Sequence, residues 1–441
     1  MRVMYLNPTG QLGGAETSLL AILSSLRRAR ASWPLRVVLA GDGPVRGAVD
    51  AIGVTTSVLP FPAAIARLGE HGARSDGGYI RLLAQLVRAM STVPPHVGQL
   101  RREIESFRPD VIHTNGLKMH LLAPWATRSV PLVWHLHDYL GSRPLTARLM
   151  RWHASRCAVL VANSQSVAAD ASDALGGDVR IVPILNAVDL DRFSPNGDRA
   201  DLDRLAGLSP APAGTVRVGL LGTFARWKGH DVFLNAIAQL PGELPIRAYV
   251  IGDAVYDTDR SQHSSDELRR LAASLGIAAR VAFTGFIPRS DTALRALDIV
   301  VHASTSPEPF GLVIAEAMAC GRAVIVSRAG GAAELVSPGV DALAHTPGNV
   351  AELSSQIKTL TTDAVLRERL GVAARATAER RFDQRRLAGE LIAVYESAVR
   401  PSAKASRSFY RMSASPNSME REALAERREQ MEREALAERN S

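Results

Sequence analysis

The chain has 441 residues, of which 46% are hydrophobic, and it carries a formal net charge of +8. This length exceeds what a single hydrophobic core usually serves, so we expect two domains. The sequence lacks an apolar run of about 18 residues, which argues against a membrane-spanning helix, and its amino terminus lacks the apolar core of a signal peptide. We therefore expect a globular protein of the cytoplasm.

The positive charge comes almost wholly from arginine, because lysine occurs only at positions 118, 228, 358 and 404. Aromatic and basic residues do not interleave as they do in nucleic-acid-binding segments, so we predict no nucleic-acid partner. Cys157 and Cys320 are far apart and lack metal-ligand spacing, which favours two reduced, structural cysteines.

The first part of the chain alternates apolar strands with helices, a pattern that predicts a parallel sheet covered on both faces. Strands are predicted at 3–6, 35–40, 111–113, 131–137 and 158–162, and a helix at 15–30. The loop before this helix contains Gly13 and Gly14, which let backbone approach a ligand. The strand at 131–137 contains His135 and His137, which alternation places on the same side, so we expect only one of them to point into a cleft.

A second series of strands predicts a second domain of the same class, at 216–221, 246–251, 281–284, 299–302 and 323–326. The segment 193–214 between the two series is rich in Pro, Gly and Asp, and we predict that it is the hinge region. Two domains of this type face each other across a cleft at the carboxyl ends of their strands, where open α/β sheets bind ligands. Residues 401–441 contain MEREALAER twice, and we interpret them as a charged tail, disordered or marginally helical.

Residues 308–316, EPFGLVIAE, place two carboxylates around the start of a predicted helix. Prolines keep the segment extended before Phe310, Gly311 lets backbone come close to a ligand, and a helix-forming run begins at Leu312. Glu308 then lies at the mouth of the helix and Glu316 about one and a half turns inside it. The unpaired backbone N–H groups between them suit a phosphate, and both carboxylates suit hydroxyls. A nucleotide sugar has this shape.

A simpler interpretation treats both glutamates as ordinary helix residues, one favoured by the positive end of the helix and the other solvated. The surroundings favour a ligand site. A buried strand precedes the motif at 297–304, and a turn, a second strand and a glycine-rich loop follow it at 320–336. This strand–helix–strand unit collects ligands at the carboxyl ends of its strands.

The stretch STSPEPFGLVIAEAMACGRAVIVSRAGGAAELV, at 304–336, resembles the retaining glycosyltransferases of family 4, which have the two-domain GT-B fold. The resemblance extends over about residues 1–400. It implies an α/β fold of two Rossmann-like, doubly wound parallel-sheet domains. The domain boundaries that we expect are an acceptor-side domain at 1–192, a nucleotide-sugar domain at 215–380 and a helix at 381–400 that crosses back to the first domain.

The resemblance also implies roles for individual residues. Glu308 would contact the donor sugar and Glu316 the ribose, while the backbone amides of Phe310, Gly311 and Leu312 would hold the diphosphate. The family's histidine near the sixth carbon of the donor sugar matches His137. For His135 a buried, structural position is the favoured interpretation. The loop with Gly13 and Gly14 is similar to the family's GGAE loop, which approaches the donor phosphates or the acceptor.

Lys228 and Gly229 match the family's phosphate-binding Lys-Gly step, so Lys228 is predicted to stabilise charge on the leaving nucleotide. Arg226, on the same loop, is a further candidate for the diphosphate. Two exposed cations on a loop are the alternative interpretation. Many members of the family have an arginine directly after the strand's glycine, where this chain has Thr223, and whether Arg226 substitutes for it is open. The predicted catalytic residues are His137, Glu308 and Lys228.

Three Asp-x-Asp triplets, at 189–191, 201–203 and 257–259, raise the alternative of a metal-dependent transferase. They fall in polar loops and in the hinge region, where carboxylates are common. We predict no metal and no cofactor beyond the donor substrate.

Residues 79–108 and 143–156 place arginines beside Leu, Met and Trp. This composition fits an interfacial helix in peripheral contact with an anionic inner membrane surface, and it fits a solvated outer face more simply.

The predicted reaction moves a glycosyl group from a nucleoside-diphosphate sugar to a hydroxyl of a glycan, glycolipid or small-molecule acceptor, and retention of configuration is implied by the resemblance. Two alternatives stay open. One is a sugar-nucleotide 2-epimerase or phosphorylase on the same fold, and the other is a non-catalytic sugar-nucleotide-binding subunit.

Overall fold

The computed structural model describes residues 1–66, 78–177, 179–254 and 261–400. Within them, the first sheet has seven parallel strands in the order β3-β2-β1-β4-β5-β6-β7. These strands are β1 Val3–Asn7, β2 Leu35–Leu39, β3 Thr55–Val58, β4 Val111–Asn115, β5 Leu132–Leu136, β6 Cys157–Ala162 and β7 Ile181–Pro183. The accompanying helices are α1 Gly14–Ala29, α2 Pro44–Ala51, α3 Ala63–Ala66, α4 Gly78–Phe107, α5 Leu117–Ala126, α6 Pro144–His153 and α7 Gln165–Leu175.

The second sheet has six parallel strands in the order β10-β9-β8-β11-β12-β13. They are β8 Val216–Leu221, β9 Ile246–Ile251, β10 Val281–Gly285, β11 Ile299–His302, β12 Ala323–Ser327 and β13 Leu343–His345. The helices are α8 Leu202–Leu205, α9 His230–Ala238, α10 Ser265–Ser274, α11 Ser290–Ala296, α12 Leu312–Ala319, α13 Val350–Thr362, α14 Ala364–Arg381 and α15 Arg386–Val399. The predicted fold class, two doubly wound parallel-sheet α/β domains, is confirmed.

Both faces of each sheet are covered, which explains why the central strands are apolar throughout. In β1, Met4 and Leu6 pack into one core, and Val3 and Tyr5 pack into another on the opposite face. All five residues of this strand are buried. An alternating pattern would have left one face polar, so the unbroken apolar run determines the layered architecture.

Three strands were not expected from the sequence, namely β3, β7 and β13. Each lies at an edge of its sheet and is only three or four residues long. Most of their residues are only partly buried, so they lack the long apolar run that marks a central strand. Their existence depends on the neighbouring strand, which supplies the hydrogen bonds.

The chain passes from one domain to the other beside Val188. Ala187 packs in the core of the first domain, whereas Val188 packs in the core of the second. The backbone of Val188 bonds to Phe382 and Gln384, so the outgoing and returning segments cross side by side. The sequence placed the domain boundary at residue 192.

The predicted hinge region packs against the second domain. Phe193 and Leu202 belong to its core, and the buried carboxylate of Asp203 accepts hydrogen bonds from Arg217, Arg247 and Tyr249. These contacts anchor the segment by ion pairs that its Pro- and Gly-rich composition did not reveal.

Helix α15 lies against the first domain. Its residues Leu387 and Leu391 share a core with Leu19 and Ile22 of α1, and Tyr395 reaches into the first sheet. Cys157 and Cys320 are free and buried, and burial raises the pKa of both thiols to about 12. Among the described residues, none of the helices is both long and apolar enough to cross a membrane. The tail at 401–441 lies outside the described residues.

Candidate functional site

The glycine at the start of α12 determines how the motif presents its backbone. Gly311 has a φ of 92°, a left-handed conformation that favours glycine, and a Cβ atom there would lie 2.8 Å from the Ile314 side chain. The helix begins at Leu312, as predicted. Among the described residues, the N–H groups of Phe310, Gly311 and Leu312 donate to no group. They therefore remain available for an anion at the positive end of the helix.

Phe310 contributes its backbone to this surface and its side chain to the core. Its ring is buried and packs edge-on against Phe382, with 6.1 Å between the centroids. Packing of this ring holds the extended segment in place just before the helix.

Glu308 is the centre of a dense polar cluster. Its Oε1 lies 2.6 Å from Lys228 Nζ. Its Oε2 lies 2.7 Å from His302 Nε2 and accepts a hydrogen bond of 2.8 Å from Ser304 Oγ. The residue is only 7% exposed, and its carboxylate is bonded on both oxygens.

Two opposing effects act on the pKa of Glu308. Burial raises it, but the charge of Lys228 and the hydrogen bond from His302 outweigh burial and hold the pKa well below its ordinary value. The Glu308 carboxylate therefore stays ionised beside the side chain of Lys228.

Sequence reasoning missed His302 and Ser304 as partners of Glu308. A signal was present, since His302 is the last residue of the apolar strand β11 and Ser304 follows shortly after. Polar residues at the carboxyl end of a strand in such a sheet lie at the ligand-binding edge.

Lys228 is positioned by the turn that follows β8. A short 3₁₀ helix at Arg226–Lys228 ends at Gly229, which has a φ of 74°. The ammonium of Lys228 also lies over the Trp227 ring, 4.3 Å from its centroid, a favourable cation–π geometry. The structure therefore brings Lys228 and Glu308, 80 residues apart in the chain, into direct contact.

Replacing Gly229 with Ala is expected to destabilise the protein by about 2 kcal/mol or more. Left-handed backbone costs a residue with a Cβ atom about 1–2 kcal/mol, and this Cβ would also lie 2.0 Å from the Ala303 carbonyl oxygen. Chemical denaturation of the variant measures the loss. Gly276→Ala is the matched control, because Gly276 has a φ of 71° with open space around it. Equal losses in both variants would contradict a role for the contact with Ala303.

Arg226 is not brought to Glu308. Its guanidinium bonds to Glu267 Oε1 at 3.3 Å and to His263 Nδ1 at 3.2 Å, both near the start of α10. Glu267 also closes a capping box with Ser264 there. The guanidinium of Arg226 is thus occupied beside this helix, and its predicted role in binding the donor stays a prediction.

Glu316 differs from Glu308 in having no partner. It lies in α12, partly buried, and among the described residues no donor lies within hydrogen-bond distance of its carboxyl group. Burial raises its pKa to about 7, although the charge of Arg192 acts in the opposite direction. An unpaired carboxyl group in such a place needs a donor, and a pair of vicinal hydroxyls would supply two.

The first domain brings its glycine loop to the motif helix. A Cβ atom on Gly14 would lie 3.7 Å from Leu312 Cδ1, so this loop and the start of α12 are neighbours. Gly13 is the residue before α1, and a Cβ there would lie 2.9 Å from Glu16 Oε2. Gly14 therefore lies where the two domains meet, and Gly13 precedes it in the chain.

His135, in β5, and His137, just after this strand, have different environments, as expected. His135 is buried, with its Nδ1 3.2 Å from His113 Nε2. His137 lies just beyond the strand and is partly exposed, and its Nε2 lies 2.6 Å from Asn115 Oδ1. The two rings are 4.1 Å apart between centroids. Burial lowers the pKa of His137 to about 4, so the ring is neutral at pH 7.

Two side chains join the domains beside the site. The hydroxyl of Tyr139 donates to the Glu308 carbonyl oxygen at 3.2 Å and accepts from the Gly331 amide at 3.1 Å. The carboxylate of Glu334 accepts from the amides of Gln165 and Ser166, at the start of α7. These hydrogen bonds attach the motif segment of the second domain to the first domain.

The described Asp-x-Asp carboxylates have structural partners. Asp189 accepts hydrogen bonds from the backbone of Asp191 and Arg192, and Asp201 caps α8. Asp203 forms the buried ion pairs described above. The triplet at 257–259 lies outside the described residues. Within those residues, no group of three or more His, Cys, Asp or Glu side chains is arranged to hold a metal ion.

Comparison with known proteins shows similarity over both halves of the chain. Residues 209–377 match the family described as glycosyl transferases group 1, and residues 12–192 match glycosyltransferase family 4. The D-inositol 3-phosphate glycosyltransferase of Nocardia farcinica is 31% identical over 339 residues, which cover 76% of this chain and 70% of that protein. D-inositol 3-phosphate glycosyltransferase 2 of Catenulispora acidiphila is 36% identical over 200 residues, and this match covers 44% of the chain and only 46% of that relative.

A solved structure resembles nearly the whole described region. The Anabaena protein Alr3699/HepE, crystallised in complex with UDP-glucose, superimposes with a TM-score of 0.74 at 27% identity. The match covers 90% of this chain and all of the Anabaena chain.

Proposed function

This chain belongs to the group 1 glycosyltransferases of family 4, which have the GT-B fold, and we propose that it moves a sugar from a nucleoside-diphosphate sugar to an acceptor hydroxyl with retention of configuration. One observation carries the proposal. The ion pair of Lys228 and Glu308 lies at the start of helix α12. Among the described residues, the first amides of this helix donate to no group and Glu316, inside it, has no hydrogen-bond partner. A nucleotide sugar has a sugar, a diphosphate and a ribose in this order. Glu308 would face the sugar, Lys228 and the helix amides the diphosphate, and Glu316 the ribose.

Each group has a distinct part in the proposed reaction. The bond between the anomeric carbon and the diphosphate oxygen breaks, and the negative charge that develops on the diphosphate is stabilised by Lys228 and the amides at 310–312. The acceptor oxygen forms the new bond on the same face of the sugar. Its proton passes to the departing phosphate oxygen, so the step balances without a covalent intermediate. Glu308 and His137 contact the sugar.

The decisive experiment incubates the purified protein with a donor, in the presence and absence of acceptor candidates. We propose UDP-glucose as the first donor, because the similar Anabaena structure holds it, with GDP-, ADP- and dTDP-sugars screened by thermal shift. Donor consumption that requires an acceptor supports glycosyl transfer. Conversion of the donor alone would indicate an epimerase, phosphate-dependent turnover would indicate a phosphorylase, and donor binding without turnover would indicate a binding subunit.

Turnover is expected to be independent of added metal. Lys228 and the helix amides supply the positive field that a divalent cation would otherwise supply, and the described Asp-x-Asp carboxylates are engaged in capping and ion pairs. Rates measured with and without EDTA should agree within twofold. Loss of activity in EDTA that magnesium or manganese restores would contradict this expectation.

We further propose that helix α6 docks on an anionic membrane surface. Leu145, Leu149 and Trp152 lie on its outer face, with exposed fractions of 60%, 41% and 71%. Arg148 and Arg151 are exposed beside them, and the helix contains no acidic residue. Apolar residues flanked by cations complement a bilayer with anionic headgroups. Side chains at 79–91, part of the other predicted interfacial segment, lie outside the described residues.

Trp152→Ser is expected to weaken binding to vesicles containing anionic lipid about tenfold, because a large apolar side chain no longer enters the interface. Co-sedimentation with phosphatidylglycerol-containing vesicles measures the change. Val365→Ser is the control, since Val365 is 79% exposed on the second domain. Equal binding to purely zwitterionic vesicles, or an equal effect of both substitutions, would contradict the proposal.

A further inference from the structure

A chain of buried polar side chains leads to His137 from the first strand of the fold. Asn7, Asn115 and Glu16 are 0%, 1% and 6% exposed. Asn7 ends β1 and Asn115 ends β4, so both lie at the carboxyl edge of the sheet, next to the ring of His137. The direction of each hydrogen bond between these side chains follows from the neighbouring backbone carbonyl oxygens, which can only accept.

The orientation of Asn7 is determined first. Its Nδ2 lies 2.7 Å from the Thr9 carbonyl oxygen and 3.3 Å from Glu16 Oε1. A carbonyl oxygen can only accept, so the amide nitrogen of Asn7 must face Thr9. The Oδ1 atom of Asn7 therefore faces the other way, toward Asn115, whatever the protonation state of Glu16.

The orientation of Asn115 follows from two acceptors. Its Nδ2 lies 2.6 Å from Asn7 Oδ1 and 3.3 Å from the Ala15 carbonyl oxygen. Both are acceptors, so a flipped Asn115 would place its own oxygen against two oxygens. Asn115 Oδ1 is thereby turned toward His137 Nε2, at 2.6 Å.

His137 must then donate from Nε2, because the partner of this nitrogen within the described residues, Asn115 Oδ1, is an acceptor. In a neutral imidazole one nitrogen carries the proton and the other accepts, so Nδ1 has a lone pair and no proton. Nδ1 is buried and has no hydrogen-bond partner among the described residues. His137 also borders a cavity of about 120 Å³ together with Glu16, Asn115 and Asp138.

We propose that Asn115, oriented by Asn7, is a positioning residue that holds His137 in the Nε2–H tautomer, so that only Nδ1 can bond to the substrate, as the acceptor of a hydroxyl of the donor sugar. The bond between Nδ1 and the donor sugar rests on the proposed glycosyl transfer. The tautomer does not, because it is a property of the protein without substrate. The amide pair acts through His137 and does not itself touch the sugar.

The tautomer is measured by ¹⁵N NMR of the histidine-labelled protein at pH 7, with the His137 signals assigned by their absence in His137→Gln. We expect a protonated Nε2 and an unprotonated Nδ1 in the wild type. This measurement requires no variant of Asn115 and no activity. A proton on Nδ1 would overturn the inference and leave the proposed glycosyl transfer intact.

One variant tests the role of Asn115. Asn115→Leu removes the acceptor of Nε2–H and should give a mixture of tautomers. For Asn115→Leu we expect kcat/KM for the donor to fall about tenfold. A wild-type tautomer in Asn115→Leu would overturn the role of Asn115.

Asn163→Leu is the matched control. Asn163 is a buried asparagine directly after β6, the neighbouring strand, and among the described residues it makes no hydrogen bond to His137. The His137 signals should be unchanged in this variant. A change as large as that in Asn115→Leu would show that the tautomer responds to any loss of polarity at this edge, and would overturn the inference. If the wild type transfers sugar from none of the donors, the role of Nδ1 as an acceptor for the donor sugar is overturned.

Discussion

Replacing Glu308 with Gln is expected to lower kcat about 10²–10³-fold, with the KM for the donor changed less than threefold. The carboxylate receives three donors, from Lys228, His302 and Ser304. A glutamine amide has one oxygen and one NH₂ group, so if its oxygen keeps Lys228, its NH₂ group faces His302 and Ser304, which must reverse their hydrogen bonds to accept from it. Lys228 also loses its counter-charge, and its position beside the departing diphosphate is no longer defined.

Steady-state kinetics with saturating acceptor measure this change. Glu368→Gln is the matched control, because Glu368 is an exposed residue of α14 whose side chain makes no hydrogen bond within the described part of the chain. Circular dichroism and thermal melting separate loss of chemistry from loss of fold. A variant that keeps its kcat while its KM rises would assign Glu308 to donor binding alone and contradict the proposed part in turnover.

Replacing Glu316 with Gln is expected to weaken nucleotide binding, rather than to lower kcat, and to make the unliganded protein more stable. Burial raises the pKa of Glu316 from 4.5 to about 7. The folded protein therefore holds a proton on this group at pH values where the unfolded chain has released it. The contribution of the group to stability is full below pH 4.5 and is lost as the pH rises through 7.

At pH 8, Glu316 is ionised, and no described residue pairs with it in the unliganded protein. Removing its charge is expected to raise the free energy of unfolding by about 1–2 kcal/mol, after allowance for its partial exposure. At pH 5 the carboxyl group is already protonated, and the same substitution should change stability by less than about 0.5 kcal/mol. Melting temperatures of wild type and Glu316→Gln at pH 5 and pH 8 measure the difference.

The binding half of this prediction uses UDP as the ligand. If Glu316 accepts hydrogen bonds from ribose hydroxyls, loss of its charge should weaken UDP binding about 10–100-fold, since a hydrogen bond to a charged group contributes about 1.5–3 kcal/mol. Calorimetric titration at pH 8 checks this, again with Glu368→Gln as the control. Unchanged UDP affinity in Glu316→Gln would contradict the assignment of Glu316 to the ribose, whatever the melting temperatures show.

Together the two glutamates illustrate two ways of building a carboxylate into a site. Glu308 is ionised because the charge of Lys228 and the hydrogen bonds to its carboxylate outweigh its burial. Glu316 has no partner in the described part of the chain, at a cost in stability, as expected of a binding group whose natural partner is a ligand. The same helix α12 carries one just before its start and the other inside it.

The sequence by itself determined the features that depend on local pattern. Apolar runs such as 216–221 and 246–251 coincide with strands β8 and β9, because a strand that is buried on both faces has to be apolar at every position. Gly311 and the run after it located the start of α12, because a left-handed residue before a helix-forming segment leaves few alternatives. These constraints act within a few residues of the chain.

Only the tertiary structure decided which polar groups meet. Asn7 and Asn115 are 108 residues apart in the chain and Lys228 and Glu308 are 80 apart, and no periodicity relates such pairs. Arg226 bonds to Glu267 at the start of α10, a choice that its neighbours in sequence do not reveal. Edge strands such as β7 and β13 likewise exist because a neighbouring strand offers its backbone. Hydrogen bonds and ion pairs are short-ranged and directional, so their partners are determined only once folding has brought distant segments together.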